Sequence, residues 1–338
     1  MDPSAPDAVV VEEISDAVGR VPLPLPLAEL RSVNCYVVRG PDGVTLIDPG
    51  WVWPETTAAL EAGMAAMGLA LDDVSRILIT HSHWDHYSQA YRWHLDRGTD
   101  LFLGDGERHS IQAWKDLDGA FPLQVGLLQR AGDDTRARLL EEHPISETER
   151  ATDFGDPTTY LEGGETITGS DVPIHVISTP GHTRGHLVFE DTTHQMLFTG
   201  DHVLPRITPS IAYERSPDRL ALRSYLSSLQ LLLDRPDATM LPAHGAVQTS
   251  VHARATELIA HHDDRLKVVA DLVAQGARTA LEVASRMTWT RREKTLEQLG
   301  ADHSWTAVLE AAAHLELLVW HGDLTKDESG EVDLYSVA

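Results

Sequence analysis

The stretch Thr80-His81-Ser82-His83-Trp84-Asp85-His86 carries four side chains of the kinds that bind first-row metal ions. A β-like run precedes it, and the residues that follow it are typical of an amphipathic helix. Because alternate side chains of an extended segment point to the same side, His81 and His83 can converge on one ion. Asp85 and His86 can serve a second ion at the start of the helix. Packing does not explain this density of imidazole and carboxylate, so the stretch predicts a metal site.

The same ligand types recur singly at three later positions, each at the end of a β-like run and beside a glycine. His182 follows residues 174–177, Asp201 follows residues 196–198, and His244 follows residues 238–241. Strand ends of this kind are where loops converge above a rigid sheet. Each position alone is a weak signal, but together they predict one site that also contains the histidine-rich stretch.

The order His81-x-His83-x-Asp85-His86, then His182, Asp201 and His244, resembles the ligand set of the metallo-β-lactamase-fold hydrolase superfamily. Asp48, in Ile47-Asp48-Pro49-Gly50, matches the first motif of that family. The resemblance covers about residues 20–250. It implies an α+β fold, a four-layer αββα sandwich with a two-metal site at one edge.

The resemblance also implies a role for each ligand. His81, His83 and His182 would hold the first ion, Asp85, His86 and His244 the second, and Asp201 would bridge both. Asp85 would in addition orient a bridging hydroxide and carry its proton, as the catalytic residue. Asp48 would either hydrogen-bond to the ligands without binding metal or have a structural role. Imidazole and carboxylate ligands without thiolate favour two zinc ions, with manganese or iron as the alternatives.

Several departures from the family pattern narrow the function. The antibiotic-hydrolysing members usually have a cysteine where Asp201 stands, and Cys35, the only cysteine, lies in a predicted strand far from that motif. Penicillin hydrolysis is therefore not expected. Tyr87 follows the Asp-His pair where the family often has glycine, and either narrows the mouth of the site, contacts substrate, or is an ordinary half-buried tyrosine. Three further residues are candidates for substrate contact: Trp53, Arg206 and Tyr213.

The pattern of strands and helices predicts two domains. Runs at 33–38 and 44–47 flank a turn-rich segment and predict a hairpin, and Ser216-Pro217-Asp218 is typical of a helix start. We expect a catalytic domain over residues 1–250 with an insertion at about 105–164. Residues 251–338 are predicted to form a winged-helix-like domain of three helices and a closing hairpin.

Composition bears on partners and location. The formal net charge is −25, and residues 251–338 hold more acidic than basic residues, so binding to nucleic acid is not expected. No apolar run is long enough to span a bilayer, and the amino terminus lacks the basic and apolar pattern of a secretory signal. These features predict a cytoplasmic protein with a small-molecule substrate. An apolar helix that contains Leu315, Leu317, Leu318 and Trp320 suggests a homodimer.

Three functions are compatible with these residues. The first is hydrolysis of a small ester, thioester or lactone, supported by the ligand set, the acidic surface and an apolar insertion at residues 121–128. The second is a phosphodiesterase or ribonuclease, because the same metal pair cleaves phosphoesters. The third is a non-hydrolytic protein of the same fold, either a metal-dependent redox protein or a scaffold.

Overall fold

Two mixed sheets form the centre of the computed structural model, which describes residues 11–27, 30–119, 121–143, 154–211 and 213–338. The first sheet contains, in spatial order, Glu12–Glu13 (β1), Val18–Pro24 (β2), Ser32–Val38 (β3), Val44–Ile47 (β4), Val74–Leu78 (β5), Asp100–Gly104 (β6) and Thr159–Leu161 (β7). The second contains Thr166–Ile167 (β8), Ile174–Ser178 (β9), Leu187–Asp191 (β10), Met196–Gly200 (β11) and Thr239–Pro242 (β12), also in spatial order. Leu324–Asp327 (β13) and Leu334–Val337 (β14) form a separate antiparallel hairpin. The predicted hairpin of β3 and β4 is present.

The helices cover the outer faces of the two sheets and build the carboxy-terminal region. They are Pro54–Ala66 (α1), Trp84–Arg97 (α2), Arg108–Asp116 (α3), Pro122–Arg130 (α4), Asp134–Glu141 (α5), Ala221–Leu233 (α6), Val251–Ala274 (α7), Ala280–Arg286 (α8) and Ala301–His321 (α9). Helix α2 ends at Arg97 and is followed by Gly98, whose φ of 69° lies in the left-handed region where glycine carries no steric penalty.

The expected helix start at Ser216 is wrong, because α6 begins at Ala221. Carbonyl oxygens of Ser216 and Pro217 instead accept hydrogen bonds from the guanidinium of Arg184. These contacts hold the segment as a loop. A proline after a serine favours a helix start at this point, but here the hydrogen bonds from Arg184, which is distant in sequence, favour a loop.

Three apolar clusters give the layer order. Between the sheets, Tyr36 of β3 packs edge-on against Phe198 of β11, with ring centroids 5.1 Å apart. Leu60 of α1 packs on the outer face of the first sheet, and Leu229 of α6 on the outer face of the second. The resulting order of helix, sheet, sheet and helix confirms the expected four-layer α+β sandwich.

The carboxy-terminal region shares its core with part of the predicted insertion. Leu128 of α4 and Leu140 of α5 belong to the same apolar cluster as Val283 of α8 and Val308 of α9. Of the four residues that suggested a homodimer, Leu315, Leu317 and Leu318 are buried within the chain, whereas Trp320 is 53% exposed. The homodimer stays a prediction. The division at residue 250 stays a prediction. In the described part of the chain, no helix has the length and apolar character needed to cross a membrane.

Candidate metal centre

The carboxyl ends of several strands from both sheets meet at one edge of the sandwich. Backbone hydrogen bonds join the two sheets there: Leu187 N donates to Thr80 O at 2.8 Å, and Asn34 N donates to Ala243 O at 2.7 Å. The chain segments that follow β4, β5, β11 and β12 therefore share one small region. They carry Asp48, the histidine-rich stretch, Asp201 and His244.

The first cluster consists of His81, His83 and His182. His83 Nδ1 lies 2.9 Å from His81 Nε2 and 3.1 Å from His182 Nε2. His182 Nδ1 donates to the carbonyl of Ser210 at 2.7 Å, which leaves its Nε2 as a lone pair that faces the cluster. Ligands of a tetrahedral zinc ion with bonds of 2.0–2.1 Å are about 3.3 Å apart, so the three nitrogens are spaced as ligands of one ion.

Burial keeps the first cluster uncharged. It lowers the pKa of His83 to about 3 and that of His182 to about 4. Neutral imidazole is the form that binds a metal, since a protonated ring has no free lone pair on the ligating nitrogen. The cluster therefore presents three basic nitrogens to one point at neutral pH.

The second cluster consists of Asp85, His86 and His244. Asp85 Oδ2 lies 3.3 Å from His244 Nε2 and 3.7 Å from His86 Nε2. His244 Nδ1 donates to Ser32 O at 2.8 Å, so its Nε2 is directed inward as a lone pair. Although burial opposes it, the carboxylates of Asp85 and Asp48 raise the pKa of His86 to about 10. This part of the site attracts positive charge strongly.

Asp201 lies between the two clusters. Its Oδ2 is 3.6 Å from His182 Nε2, and its Oδ1 is 3.3 Å from His244 Nε2. Its backbone N–H donates to His186 Nε2 at 3.2 Å, while His186 Nδ1 is 3.0 Å from the Thr179 hydroxyl. One carboxylate oxygen therefore faces each cluster, the arrangement a bridging ligand needs.

Orphaned polar atoms show that these residues fit divalent ions. His86 Nε2, His244 Nε2 and Asp201 Oδ1 are buried, and none has a hydrogen-bond partner within the described residues. A buried polar atom without a partner costs about 1–3 kcal/mol. Three such atoms directed at the same small volume are explained if they are metal ligands.

Asp48 makes hydrogen bonds to the ligand-bearing segment and belongs to neither ligand cluster. Its carboxylate accepts hydrogen bonds from Thr80 N at 2.9 Å, from Thr80 Oγ1 at 2.7 Å and from His86 Nδ1 at 2.9 Å. The Thr80 hydroxyl, having donated to Asp48, accepts from His81 Nδ1 at 3.0 Å. One buried carboxylate thus sets the tautomers of two histidines, one in each cluster. Asp48 has a φ of 52°, a strained conformation for a residue with a side chain.

Glu107 is a buried carboxylate beside the first cluster, and it was not among the residues expected from the sequence. It is fully buried and accepts hydrogen bonds from the hydroxyls of Ser82 and Thr183 and from the backbone amides of Ser82 and Gly185. Ser82 lies between the first two histidines, and Thr183 directly follows the third. Glu107 therefore connects the two loops that build the first cluster. A signal was available, because Gly104-Asp105-Gly106-Glu107 is a glycine-rich strand end that carries carboxylates.

The close approach of the loop after His182 to the segment that carries Glu107 depends on glycine at position 185. A Cβ placed there would lie 2.2 Å from the backbone nitrogen of Glu107, closer than any side chain permits. Burial, the largest influence, raises the pKa of the Glu107 carboxyl, while the hydroxyl and amide donors lower it. Burial of this carboxyl costs free energy, and its hydrogen bonds to the two loops offset part of that cost.

Of the four candidates for substrate contact, Tyr213 lies beside the site. Its ring centroid is 6.0 Å from that of His83, 5.2 Å from Phe121 and 5.3 Å from Trp305, and its side chain is partly exposed. We call Phe121, Tyr213 and Trp305 the aromatic wall. It brings together the predicted insertion, the loop before α6, and α9.

The side chains of the other three candidates make no such contact with the ligand clusters within the described residues. Tyr87 is fully buried in the core of the first sheet and donates its hydroxyl proton to Gly155 O at 2.7 Å. Its side chain points into the protein, so the expected substrate contact does not fit this placement. Within the described residues, no hydrogen bond, ion pair or ring contact joins Trp53 or Arg206 to the ligand clusters.

Several known proteins are similar to this chain. A "Probable metallo-hydrolase YqjP" from Bacillus subtilis is 27% identical over 314 residues, which cover 88% of this chain and 90% of that protein. An "Atrochrysone carboxyl ACP thioesterase" from Aspergillus fumigatus is 24% identical over 223 residues, 66% of this chain and 39% of that protein. The crystal structure of a metallo-beta-lactamase family protein from Thermus thermophilus superposes with a TM-score of 0.79 and 25% identity, covering 96% of this chain and all of that one.

The family itself is shown by a sequence profile. The profile described as "Metallo-beta-lactamase superfamily" matches residues 28–244, well over half of the chain. The matched range begins before β3 and ends at His244, so it includes all seven residues of the two ligand clusters and Asp201. The chain is a member of the metallo-beta-lactamase superfamily of hydrolases.

Proposed function

We propose that this hydrolase uses two divalent metal ions to cleave a small ester, thioester or lactone. The observation that carries the proposal is the pair of ligand clusters joined by Asp201, with unpartnered buried atoms directed between them. His81, His83 and His182 would hold one ion, Asp85, His86 and His244 the other, and Asp201 would contact both. Zinc suits this donor set best, with manganese or iron as alternatives.

When bound, such ions supply Lewis acidity, which makes a hydroxide available near neutral pH and polarises the substrate carbonyl. The protein's own residues supply position and proton transfer. Asp85 is ionised, since the neighbouring His86 and His244 hold its pKa well below the usual range against the effect of burial. Its side chain is 13% exposed, so it can accept a proton inside the site and pass it to solvent.

The surroundings of the site favour an acyl substrate over a polyanion. The aromatic wall stands beside His83 and offers apolar contact to an acyl or aryl group. The net charge of −25 repels nucleic acid, which requires clustered lysine and arginine to displace its counterions. A relative that is a thioesterase lends further support to the acyl class.

The test is a panel of acyl thioesters, aryl esters and lactones, with a simple phosphodiester as the competing substrate. Protein stripped by a chelator should be inactive and should regain acyl hydrolysis when zinc or manganese is added. His182→Ala should abolish that activity, whereas His175→Ala should not, because His175 lies on the surface of β9 and contacts Thr166. Activity that survives chelation would refute the metal mechanism, and preferential phosphodiester cleavage would favour the second candidate function.

A further inference from the structure

A second group of histidines lies away from the metal centre, where α7 packs against α9. His262 of α7 and His314 of α9 are buried, with His262 Nδ1 3.1 Å from His314 Nε2. Glu310 lies one helical turn before His314, and one ligand atom from each of the three residues lies within 4.8 Å of the others. Residues four apart share a face of a helix, so Glu310 and His314 reach the same point.

The hydrogen bonds of the pair leave it short of partners. His314 Nδ1 donates to the backbone carbonyl of Glu310 at 2.7 Å, so His314 Nε2 is a lone pair that faces His262. In the metal-free chain His262 Nδ1 donates to this lone pair, so the binding of an ion at Nδ1 requires the His262 proton to move to Nε2. His262 Nε2 is buried and has no hydrogen-bond partner among the residues that the structure describes. Burial lowers the pKa of His314 to about 4 and holds that of His262 well below its usual value. Both rings are therefore neutral, in the form that binds metals.

Apolar packing does not account for these histidines. Leu258, Val269 and Leu317 are buried in the two core clusters that meet between α7 and α9. The ring of Tyr225 from α6 packs edge-on against His262, with centroids 5.6 Å apart. An aliphatic side chain would fill such a position without the cost of burying an imidazole.

We propose that His262, Glu310 and His314 form a further metal site that binds one first-row divalent ion, with zinc as its best occupant. Two imidazoles and a carboxylate are an established protein ligand set for zinc, with solvent in the fourth position. The 3.1 Å between the two ring nitrogens is close to the separation of about 3.3 Å expected for tetrahedral ligands. The ion would cross-link α7 to α9. The site shares no residue with the catalytic clusters, so it stands or falls independently of the proposed function.

Glu310 gives the site access to solvent and to a competing cation. Its side chain is 21% exposed, so Glu310 is the member of the cluster that reaches solvent, although burial raises the pKa of its carboxyl. Arg265 Nε lies 3.8 Å from Glu310 Oε1, an ion pair too long for a hydrogen bond, and no described side chain donates one to this carboxylate. Glu310 can therefore ligate, but the charge of Arg265 weakens the attraction for a cation. The site should accordingly bind zinc less tightly than the catalytic centre.

The test compares the zinc content of the full chain with that of the double variant His262→Asn/His314→Gln, after chelation and dialysis against zinc. Both replacements are polar and of similar shape, so Asn and Gln can keep a hydrogen bond between α7 and α9 while binding zinc poorly. The double variant should hold one zinc equivalent fewer than the natural chain. The control His261→Asn alters the neighbouring histidine, which lies outside the cluster, and should retain the natural zinc content.

Two single variants test the charge argument and remain informative if the double variant does not fold. Glu310→Gln should weaken zinc binding at the His262/Glu310/His314 site. The loss of affinity should be at least about 10–100-fold, the effect of removing a residue that only supports a metal ligand. Arg265→Gln should strengthen it. Added zinc should also raise the melting temperature of the natural chain more than that of Glu310→Gln. Equal zinc content and equal thermal shifts in the natural chain and the folded variants would overturn the proposal.

Discussion

Replacement of Glu107 tests whether one buried carboxylate holds the two histidine loops in register. Glu107→Ala removes the acceptor of four hydrogen bonds, two from the hydroxyls of Ser82 and Thr183 and two from backbone amides. Glu107→Gln keeps a side chain of the same shape with one acceptor oxygen and one donor nitrogen. The two variants therefore separate the loss of hydrogen bonds from the loss of charge.

The expected cost follows from which donors can find new partners. Hydroxyl groups rotate, so Ser82 and Thr183 can turn to other acceptors. The buried amides of Ser82 and Gly185 cannot turn, and each unsatisfied amide costs about 1–3 kcal/mol. Glu107→Ala should therefore lower the free energy of unfolding by about 2–6 kcal/mol. In Glu107→Gln a hydroxyl can accept from the new amide, so the loss should be about 1–2 kcal/mol.

The assay measures urea unfolding of metal-free protein and, separately, the zinc affinity of the folded protein. If the loops lose their register, Glu107→Ala should weaken zinc binding by about 10–100-fold, as loss of a supporting partner does at metal sites. Glu107→Gln should stay close to the natural affinity. Glu162→Ala, which removes an exposed carboxylate, is the control and should change neither quantity.

Two results would refute the reasoning in different ways. If Glu107→Ala unfolds at the same urea concentration as the natural chain, the four contacts do not stabilise the fold. If it is destabilised but binds zinc with unchanged affinity, Glu107 supports the fold and does not position the first cluster.

Three further predictions concern the site. Asp48→Asn should weaken zinc binding by about 10–100-fold, because its amide group would face the hydrogen-bond donors of Thr80 and His86. Equilibrium dialysis measures the affinity, and an unchanged affinity would contradict a supporting role for Asp48. Burial, and secondly the charge of Glu107, raises the pKa of Glu214 to about 8. The folded protein therefore keeps a proton that the unfolded chain loses at about pH 4.3. The free energy of unfolding should therefore fall as pH rises between these values, by at most about 1.4 kcal/mol per pH unit. Glu214→Gln should make this pH dependence less steep when urea midpoints are measured across the range. Parallel curves of urea midpoint against pH for the variant and the natural chain would refute the prediction. Tyr213→Ala should raise KM for aryl esters about tenfold with little change in kcat, because apolar contact worth about 1.4 kcal/mol of binding free energy is lost. An unchanged KM would show that the aromatic wall does not contact the substrate.

Local spacing was enough to identify part of the site from the sequence. The stretch at residues 80–86 combines ligand chemistry with the two-residue period of extended chain, both properties of neighbouring residues. The hairpin of β3 and β4 was predictable for the same reason, since its turn residues lie between its strands. The distant members His182, Asp201 and His244 were recognisable as strand ends beside glycine, but their division between two ions came from resemblance to a family, because no local rule says which ligands share an ion.

Only the tertiary structure decided where side chains point and what holds the loops. Tyr87 follows the ligands in sequence, yet it lies in the core, because the helix turns it away from the clusters. Glu107 and Thr183 are far apart along the chain, and the packing of one glycine-rich loop on another brings them together. The histidines of α7 and α9 meet for a similar reason. A sequence determines which groups are available and how near neighbours alternate, while contacts between distant segments depend on how sheets and helices pack, and that packing is a property of the whole chain.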